Sequence, residues 1–168
     1  MEQPINLKIF MKPKAVFVGR FQPFHKGHLR IVKKMSRKYR LIIAIGSANR
    51  KNRENPFSVK SRATMIRAAL REANIKSVRI IKVPDMGNDQ RWGRELASLA
   101  GNIDAVVTGN RWVIKCFKNY NVRFLKIKEK DRKISATKIR AAMAARRPWR
   151  NFVPPAVARI IDKTAKKV

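Results

Sequence analysis

Acidic residues, cysteines, histidines and long apolar runs are all scarce in this chain. Its 168 residues include 10 Asp and Glu, one cysteine and two histidines. The lone Cys116 excludes an intrachain disulfide and a cysteine-rich metal framework. The longest uncharged apolar stretch, 41–49, is about half of the roughly 20 residues that a transmembrane helix needs. The N-terminal residues show no basic and apolar regions of a secretory signal. These absences exclude a membrane protein and predict a soluble cytoplasmic one.

Positive charge is present in large excess. Lys and Arg number 41, so the formal net charge is +31. Such a chain attracts polyanions or small phosphorylated ligands. A basic run lies along the first predicted helix, at Arg30, Lys33, Lys34, Arg37, Lys38 and Arg40. It keeps open a non-catalytic nucleic-acid-binding protein, although no helix-turn-helix, zinc-finger or RNP aromatic motif accompanies it.

Short apolar runs alternate with amphipathic segments, without a repeat or linker that would divide the chain. The predicted strands are 15–18, 41–45, 78–83, 104–108 and 122–127. The predicted helices are 28–40, 59–73, 90–100, 112–119, 135–145 and 156–166. Continuously apolar strands separated by helices indicate a parallel sheet covered on both faces. We therefore predict an N-terminal extension, 1–13, and one domain, 14–168: a Rossmann-like, doubly wound, five-stranded α/β sheet with C-terminal helices. Ligands of such sheets bind beyond the carboxyl ends of the strands.

Both histidines of the chain lie in one segment directly after the first predicted strand. This segment, 19–28, reads Gly-Arg-Phe-Gln-Pro-Phe-His-Lys-Gly-His and leads into a helix. Backbone N–H groups at a helix N-terminus favour an anion, and imidazoles add hydrogen-bond donors for phosphate oxygens. Arg20 and Lys26 supply positive charge, and Gly19 lets the backbone approach a nucleotide. Read alone, the histidine pair also fits a solvated turn or a fortuitous metal site.

A second basic helix start follows near the C-terminus. Ser135 has the residue type of an N-cap, and Thr137, Lys138 and Arg140 follow it in the first turns of an Ala-rich helix. Hydroxyl groups and cations at a helix start suit a phosphate group. In isolation the segment is more typical of a capped surface helix than of a phosphate site.

Together these two segments resemble the paired signatures of the nucleotidylyltransferase superfamily, HxGH and ISSTxxR. The longer string at 19–28 is more narrowly similar to archaeal-type nicotinamide mononucleotide (NMN) adenylyltransferases. The resemblance implies that His25 and His28 contact the ATP phosphates, with His28 stabilising the transition state. It also implies phosphate contacts for Ser135, Thr137 and Arg140. Ala136 stands where the family's ISSTxxR pattern has its second Ser.

The loops after the second and third predicted strands extend the resemblance. Gly46-Ser47-Ala48 matches a family GSA segment, and Asn55-Pro56-Phe57 precedes a helix in which Ser61-Arg62 replaces the family's Glu-Arg pair. Segment 84–92 resembles the family's loop for the NMN moiety, since polar groups and a Trp bind and stack a flat ring. The predicted NMN-side residues are Asp85, Met86, Asn88, Asp89 and Trp92, with Asp89 standing where the family has Asn.

The fourth predicted strand ends in Thr108-Gly109-Asn110-Arg111, similar to a family segment near the ATP adenine and ribose. The predicted ATP-side residues are Gly19, Arg20, Phe21, His25, Lys26, His28, Gly46, Ser47, Gly109, Asn110, Ser135, Thr137 and Arg140. Of these, we predict catalytic roles for Arg20, His25, His28 and Arg140.

The resemblance implies the reaction of ATP with NMN to give NAD and pyrophosphate. The attacking 5′-phosphate is already ionised, so positioning and charge neutralisation suffice for catalysis. We expect Mg²⁺ to be held mainly by triphosphate oxygens and water, with no protein metal site. Family members are commonly homo-oligomers, which is the expectation here. The alternatives are another adenylyltransferase of the superfamily, such as a phosphopantetheine adenylyltransferase, or non-specific nucleic-acid binding without catalysis.

Overall fold

The computed structural model describes residues 11–127 and 133–165. Within these ranges strands alternate with helices, as the apolar runs predict. The strands are β1 Lys14–Gly19, β2 Arg40–Ile45, β3 Val78–Lys82, β4 Ala105–Thr108 and β5 Arg123–Lys126. The helices are α1 Lys26–Lys38, α2 Val59–Glu72, α3 Asp89–Ala100, α4 Arg111–Cys116, α5 Ala136–Ala144 and α6 Pro155–Ala165, with a 3-10 turn at Arg150–Phe152.

The five strands are parallel and lie in the order β3-β2-β1-β4-β5. The chain builds outward from β1 to β3 and then crosses to β4 on the other side of β1. Ala15 accordingly pairs with Leu41 on one side and with Ala105 on the other. The strand order reverses between β1 and β4, where ligands of doubly wound sheets bind. The predicted Rossmann-like fold class is confirmed.

Two apolar cores cover the sheet because the side chains of each strand alternate between its faces. Ala15 and Phe17 of β1 join the core formed with α1, α2, α5 and α6. Val16 joins the opposite core, to which α3 contributes Trp92 and α4 contributes Val113. Helices therefore cover both faces, and the ends of the strands remain as the place for a site.

Helix boundaries differ from the predicted ones by a few residues. Helix α1 begins at Lys26 rather than at residue 28, because the His25 side chain already caps the helix there. It ends at Lys38, since Arg40 begins β2. Helix α4 ends at Cys116 rather than at residue 119, because Phe117 is its C-cap and is buried in the core. The last residue of the predicted helix 156–166 lies outside the described residues.

Helices α3 and α4 pack closely at a glycine. A Cβ atom at Gly93 would lie 2.5 Å from the carbonyl oxygen of Cys116. Only a residue without a side chain permits this approach. The contact brings the end of α4 against α3, an arrangement on which part of the site depends. No helix within 11–127 and 133–165 has the length and apolar character needed to cross a bilayer.

Candidate active site

The loops after β1, β2, β3 and β4 meet at the carboxyl edge of the sheet and enclose a cavity of about 230 Å³. Its lining residues are Val18, Gly19, Arg20, Gly46, Ser47, Asp85, Trp92, Thr108, Gly109, Asn110, Trp112 and Val113. Eight of these belong to the predicted ATP-side and NMN-side sets. The cavity thus brings together segments that are far apart in the sequence.

His25 and His28 cap the start of α1 reciprocally. The backbone N–H of His28 donates to His25 Nδ1 at 3.3 Å, and the backbone N–H of His25 donates to His28 Nδ1 at 3.2 Å. The two rings are stacked, with centroids 3.5 Å apart and planes inclined by 17°. This arrangement requires the spacing of three residues, because it joins the N-cap to the third residue of the helix.

These hydrogen bonds determine the state of both imidazoles. Burial lowers the pKa of His25 to about 4, with a further contribution from the charge of Arg30. Burial, and then the neighbouring His25, holds the pKa of His28 well below its usual range. Both rings are therefore neutral at pH 7, and because each Nδ1 accepts a backbone N–H, each carries its proton on Nε2. The pair presents two N–H donors without a permanent charge.

Three phenylalanine rings hold His28 in place. The centroids of Phe21, Phe24 and Phe17 lie 4.9, 5.5 and 6.0 Å from that of His28. Phe21 also lies under Gly19, where a Cβ atom would be 2.8 Å from the phenylalanine ring. Phe21, predicted as an ATP-side residue, is thus placed as a buried support for His28.

Three of the predicted cations lie on the histidine loop, in α1 or in α5. Arg20 lies in the cavity wall, with Nη1 3.7 Å from Oε2 of Glu54. Lys26 is exposed in the first turn of α1. Arg140 of α5 donates from Nη1 to the carbonyl oxygen of Gln22 at 2.8 Å. Burial, and then the charge of Arg20, lowers the pKa of Arg140. A phosphate group would relieve this mutual repulsion among cations.

The hydroxyl groups at the start of α5 differ in their contacts. Ser135 occupies the N-cap position but makes no capping hydrogen bond through its side chain within the described part of the chain. Thr137 Oγ1 accepts from Arg140 Nη2 at 3.4 Å. The Arg140–Gln22 bond joins this helix start to the histidine loop. Ala136, the departure from the ISSTxxR pattern, is the first residue of α5.

The side chain of Arg62, in α2, hydrogen-bonds the two loops that follow β1 and β2. Its buried guanidinium donates from Nη1 to the carbonyl oxygens of Arg20 and Gly46, both at 2.8 Å, and from Nη2 to that of Ser47 at 3.0 Å. Burial, and then the charge of Arg20, lowers the pKa of Arg62 to about 10. It remains charged at pH 7 and orients the backbone of both loops. Ser61 stands beside Arg62, where the family has Glu. Its backbone N–H donates to Oγ of the N-cap residue Ser58 at 3.1 Å.

Asp85 connects the loops after β2 and β3. Its carboxylate accepts from Ser47 Oγ at 3.1 Å and from Arg50 Nε at 3.3 Å. Asn49 bonds the Asp85 backbone twice, at 2.8 and 3.1 Å. Ser47 itself has a φ of 48°, in the left-handed region. Asp85 and Ser47 therefore shape the cavity wall as a pair.

Two tryptophans form an aromatic corner of the cavity. Trp92 of α3 is buried, Trp112 of α4 is 39 % exposed, and their ring centroids are 4.8 Å apart. The buried Nε1 of Trp92 has no hydrogen-bond partner among the described residues. A planar ligand with a hydrogen-bond acceptor would suit this corner.

The other predicted NMN-side residues lie outside the cavity lining. Asn88 is the N-cap of α3 and accepts from the backbone N–H of Arg91 at 3.0 Å. The Asp89 carboxylate accepts from Trp112 Nε1 at 2.7 Å and pairs with Lys115 Nζ at 2.9 Å. Met86 is half-buried beside them. Of the predicted set, Asp85 and Trp92 line the cavity.

Asn110 combines a structural role with a place in the lining. As N-cap of α4, it accepts from the backbone N–H of Trp112 at 2.9 Å, and Thr108 Oγ1 accepts from the Asn110 backbone at 3.0 Å. These bonds hold Gly109 and Asn110 at the cavity mouth.

Sequence reasoning missed Arg62, Gln22 and Trp112 as parts of the site. Gln22 exchanges two hydrogen bonds with the backbone of Phe57, at 2.9 and 3.0 Å. The available signal for Arg62 was a cation on the apolar stripe of a predicted helix. For Trp112 it was a large aromatic residue directly after a strand-end turn. Within 11–127 and 133–165, no three His, Cys, Asp or Glu side chains are grouped to hold a metal ion.

The chain is similar in sequence to several known proteins. A model of the cytidylyltransferase-like family matches residues 16–142. Nicotinamide-nucleotide adenylyltransferase of Ignicoccus hospitalis is 40 % identical over 156 residues, which cover 89 % of this chain and 91 % of the relative. Nicotinamide-nucleotide adenylyltransferase of Thermoplasma acidophilum is 37 % identical over 154 residues, covering 89 % and 86 %.

A solved structure is also similar to this chain. The bifunctional NMN adenylyltransferase/ADP ribose pyrophosphatase of Francisella tularensis, complexed with AMP and a Mn ion, superposes with a TM-score of 0.70 at 30 % identity. The match covers 85 % of this chain and 44 % of that one. This chain thus corresponds in length to less than half of the bifunctional protein.

Proposed function

The chain belongs to the cytidylyltransferase-like family, alongside nicotinamide-nucleotide adenylyltransferases, and on that premise we propose that it transfers the adenylyl group of ATP to the 5′-phosphate of NMN. The products are NAD and pyrophosphate. One observation carries the assignment of the chemistry to this site. It is the neutral, reciprocally capped histidine pair at the first strand–helix junction, in the loop whose Gly19 and Arg20 line the cavity; His25 and His28 are not themselves among the lining residues.

The reaction is an in-line displacement at the α-phosphorus of ATP. An oxygen of the NMN phosphate forms the new P–O bond, and the bond between the α-phosphorus and the oxygen bridging to the β-phosphorus breaks. The electron pair of that bond leaves with pyrophosphate. Since the nucleophile is already an anion, no general base is needed, and the protein's task is positioning and charge stabilisation.

The histidine pair supplies fixed donors for this step. Each Nε2–H is oriented by a backbone hydrogen bond to the opposite nitrogen of its ring. We assign His28, which three phenylalanine rings hold, to the transferring phosphate, and His25 to its neighbour. Preoriented dipoles stabilise developing charge without reorganising during the reaction.

Cations and hydroxyl groups complete the proposed ATP side. Arg20, Lys26 and Arg140 neutralise the triphosphate, and Ser135 and Thr137 donate at the start of α5. Gly19, Gly46 and Ser47 form one wall of the nucleotide site, with Gly109 and Asn110 opposite. The hydrogen bonds from Arg62 to the carbonyl oxygens of Gly46 and Ser47, and from Arg140 to that of Gln22, support the proposal.

The aromatic corner is the proposed place for the nicotinamide ring. Trp92 lines this corner of the cavity, and its buried Nε1–H has no partner in the described ranges. The carboxamide oxygen of NMN is an acceptor that would satisfy it. Asp85, which lines the same cavity, orients this wall through Ser47.

Mg²⁺ would enter bound to ATP. When bound, the ion neutralises triphosphate charge and withdraws electron density from the transferring phosphate. Asp85 and Glu54, the carboxylates on these loops, are paired with Arg50 and Arg20. This donor set fits an ion carried mainly by phosphate oxygens and water, without dedicated protein ligands.

The proposal is tested by incubating the protein with ATP, MgCl₂ and NMN and coupling NAD to alcohol dehydrogenase. We expect NAD and pyrophosphate in equal amounts. Pyrophosphate release with phosphopantetheine but not with NMN would keep the adenylyl chemistry and overturn the acceptor assignment. Absence of product with either acceptor would overturn the enzymatic proposal.

Three broader expectations accompany the activity. We propose a homo-oligomer in the cytoplasm, to be checked by light scattering and by localisation. Residues 1–13 are proposed as an extension preceding the domain 14–168, and 1–10 of them lie outside the described residues. We also propose non-specific polynucleotide binding along the exposed cations of α1, with no role in catalysis.

A further inference from the structure

Asp89 stands beside the proposed nicotinamide corner without lining it. It is the first residue of α3, and both of its carboxylate oxygens are engaged. Oδ1 accepts from Trp112 Nε1 at 2.7 Å, and Oδ2 pairs with Lys115 Nζ at 2.9 Å. Both partners belong to α4. The carboxylate therefore connects the start of α3 to two side chains of α4.

Trp112 needs such a contact to keep its orientation. It lies in the first turn of a helix of six residues and is 39 % exposed, so packing covers only part of its ring. Its ring forms one wall of the cavity, 4.8 Å from the centroid of Trp92. The hydrogen bond to Asp89 is the contact that holds its indole N–H. A change in its rotamer would open the aromatic corner.

The acceptor is a carboxylate, and Lys115 stabilises its charged form. The hydrogen bonds of Lys115 and Trp112, together with the charge of Lys115, lower the pKa of Asp89. A carboxylate accepts more strongly than a neutral group. Its place in the first turn of α3 also favours negative charge. The three side chains thus form one connected unit.

Resting on the proposed function, we propose that Asp89 is a positioning residue for NMN binding that acts through Trp112. It holds the indole as the second wall of the nicotinamide corner and does not itself touch the substrate. Its function is therefore different from that of a direct ligand of the pyridine ring. Loss of Asp89 weakens NMN binding and leaves ATP binding unchanged.

The test is the Kd for NMN, measured by titration calorimetry on the full chain. We expect D89A to raise this Kd about tenfold, the effect of losing one charge-assisted hydrogen bond that is partly exposed. D89N retains the Oδ1 acceptor and should stay within about threefold of the wild type. The Kd for ATP should be unchanged in both variants. E95A, which removes the same charge from α3, is the matched control and should bind NMN normally.

A double-mutant cycle separates positioning from general damage. W112F keeps a ring but removes the indole donor, so it should weaken NMN binding as D89A does. If Asp89 acts through Trp112, D89A combined with W112F should be no weaker than W112F alone. Additive losses would overturn the mechanism. In ¹⁵N spectra the Trp112 indole N–H resonance should move in D89A and return toward its position in D89N.

The outcomes distinguish this inference from the function on which it depends. NAD formation by the wild type with an unchanged Kd for NMN in D89A would overturn the role of Asp89 and leave the enzyme intact. A wild-type protein that binds no NMN would overturn the acceptor assignment itself. An unmoved indole resonance in D89A would contradict the contact independently of any substrate.

Discussion

At the scale of single residues, the site depends on side chains whose protonation the backbone controls. His25 and His28 use one ring nitrogen each to close the first turn of α1, which leaves the proton of each ring on Nε2. One contact therefore caps the helix and fixes the tautomer of each ring. Sequence reasoning located both histidines because they are the only two in the chain and follow a strand end. Their tautomer and stacking became visible only with coordinates.

The Nε2–H of His28 should matter for turnover more than for ATP binding. H28N retains an acceptor for the His25 N–H and removes the imidazole Nε2–H, because the shorter amide does not extend to the position of Nε2. We expect kcat for NAD formation to fall by about 100-fold or more, as for the loss of one preoriented donor. The Kd for ATP should change by less than about threefold. Steady-state kinetics and calorimetry measure the two, with K33Q on the exposed face of α1 as the control.

An unchanged kcat in H28N would contradict the assignment. A loss of ATP binding equal to the loss of kcat would indicate that His28 contributes ground-state binding instead.

Acid should destabilise the fold through the histidine pair. The pKa of His25 is about 4 in the native state against 6.5 in the unfolded chain, so the unfolded state binds more protons between these values. The free energy of unfolding therefore falls as the pH drops through this window, by up to about 1.4 kcal/mol per pH unit for each such histidine. The lowered pKa of His28 acts in the same direction.

Urea denaturation from pH 7 to pH 4 checks this expectation. H25N, which still offers a capping oxygen, should lose less stability on acidification than the wild type. If the free energy of unfolding falls in parallel with pH for the two proteins, His25 titrates normally in the native state.

Some residue roles could not be predicted from sequence at all. Asn88 and Asp89 have residue types that serve equally as substrate ligands and as helix-start residues. The structure places Asn88 in the cap of α3 and Asp89 against Trp112. Only the relative placement of α3 and α4 separates these alternatives, and close packing at Gly93 determines that placement.

At the scale of elements, four loops form the site and Arg62 links two of them. Its guanidinium bonds the backbones that follow β1 and β2. The strands were predictable because each is a short apolar run between turn signals. The loops were predictable only as positions at strand ends. Their shape depends on long-range bonds such as that from Arg140 to Gln22.

Removal of the Arg62 guanidinium should damage stability and both substrate sites. R62M keeps the stem of the side chain and removes three hydrogen bonds, so we expect a loss of about 3 kcal/mol in the free energy of unfolding. The Kd values for ATP and NMN should both rise. R67M, at an exposed position of the same helix, should lower the free energy of unfolding by less than about 0.5 kcal/mol.

Chemical denaturation and calorimetry provide these values. Normal affinity for both nucleotides in a folded R62M protein would contradict the role of Arg62 in shaping the loops.

At the scale of the whole molecule, positive charge exceeds what the site uses. The net charge is +31, and α1 alone exposes Lys26, Lys33, Lys34 and Lys38 while containing no acidic residue. Composition predicted an anionic partner but could not distinguish a nucleotide from a polynucleotide. The site favours ATP and NMN, and the α1 face suits a phosphate backbone.

Salt should separate the two kinds of binding. We expect the affinity for single-stranded polynucleotide to fall at least tenfold between roughly 50 and 200 mM NaCl, through counterion release. Turnover of ATP should change far less. K34Q combined with K38Q should reduce the slope of log K against log salt concentration by about 2. R94Q combined with K118Q, on the opposite face, should leave this slope unchanged. Equal slopes for both double variants, measured by fluorescence anisotropy, would show that α1 is not the binding face.

The central claim is that this site adenylylates the phosphate of NMN. Its most direct test is one reaction in which limiting ATP and MgCl₂ meet equal concentrations of NMN and phosphopantetheine, with the products identified by mass spectrometry. We expect NAD as the main dinucleotide, matched by pyrophosphate. Dephospho-coenzyme A as the main product, or no adenylylated product at all, would contradict it.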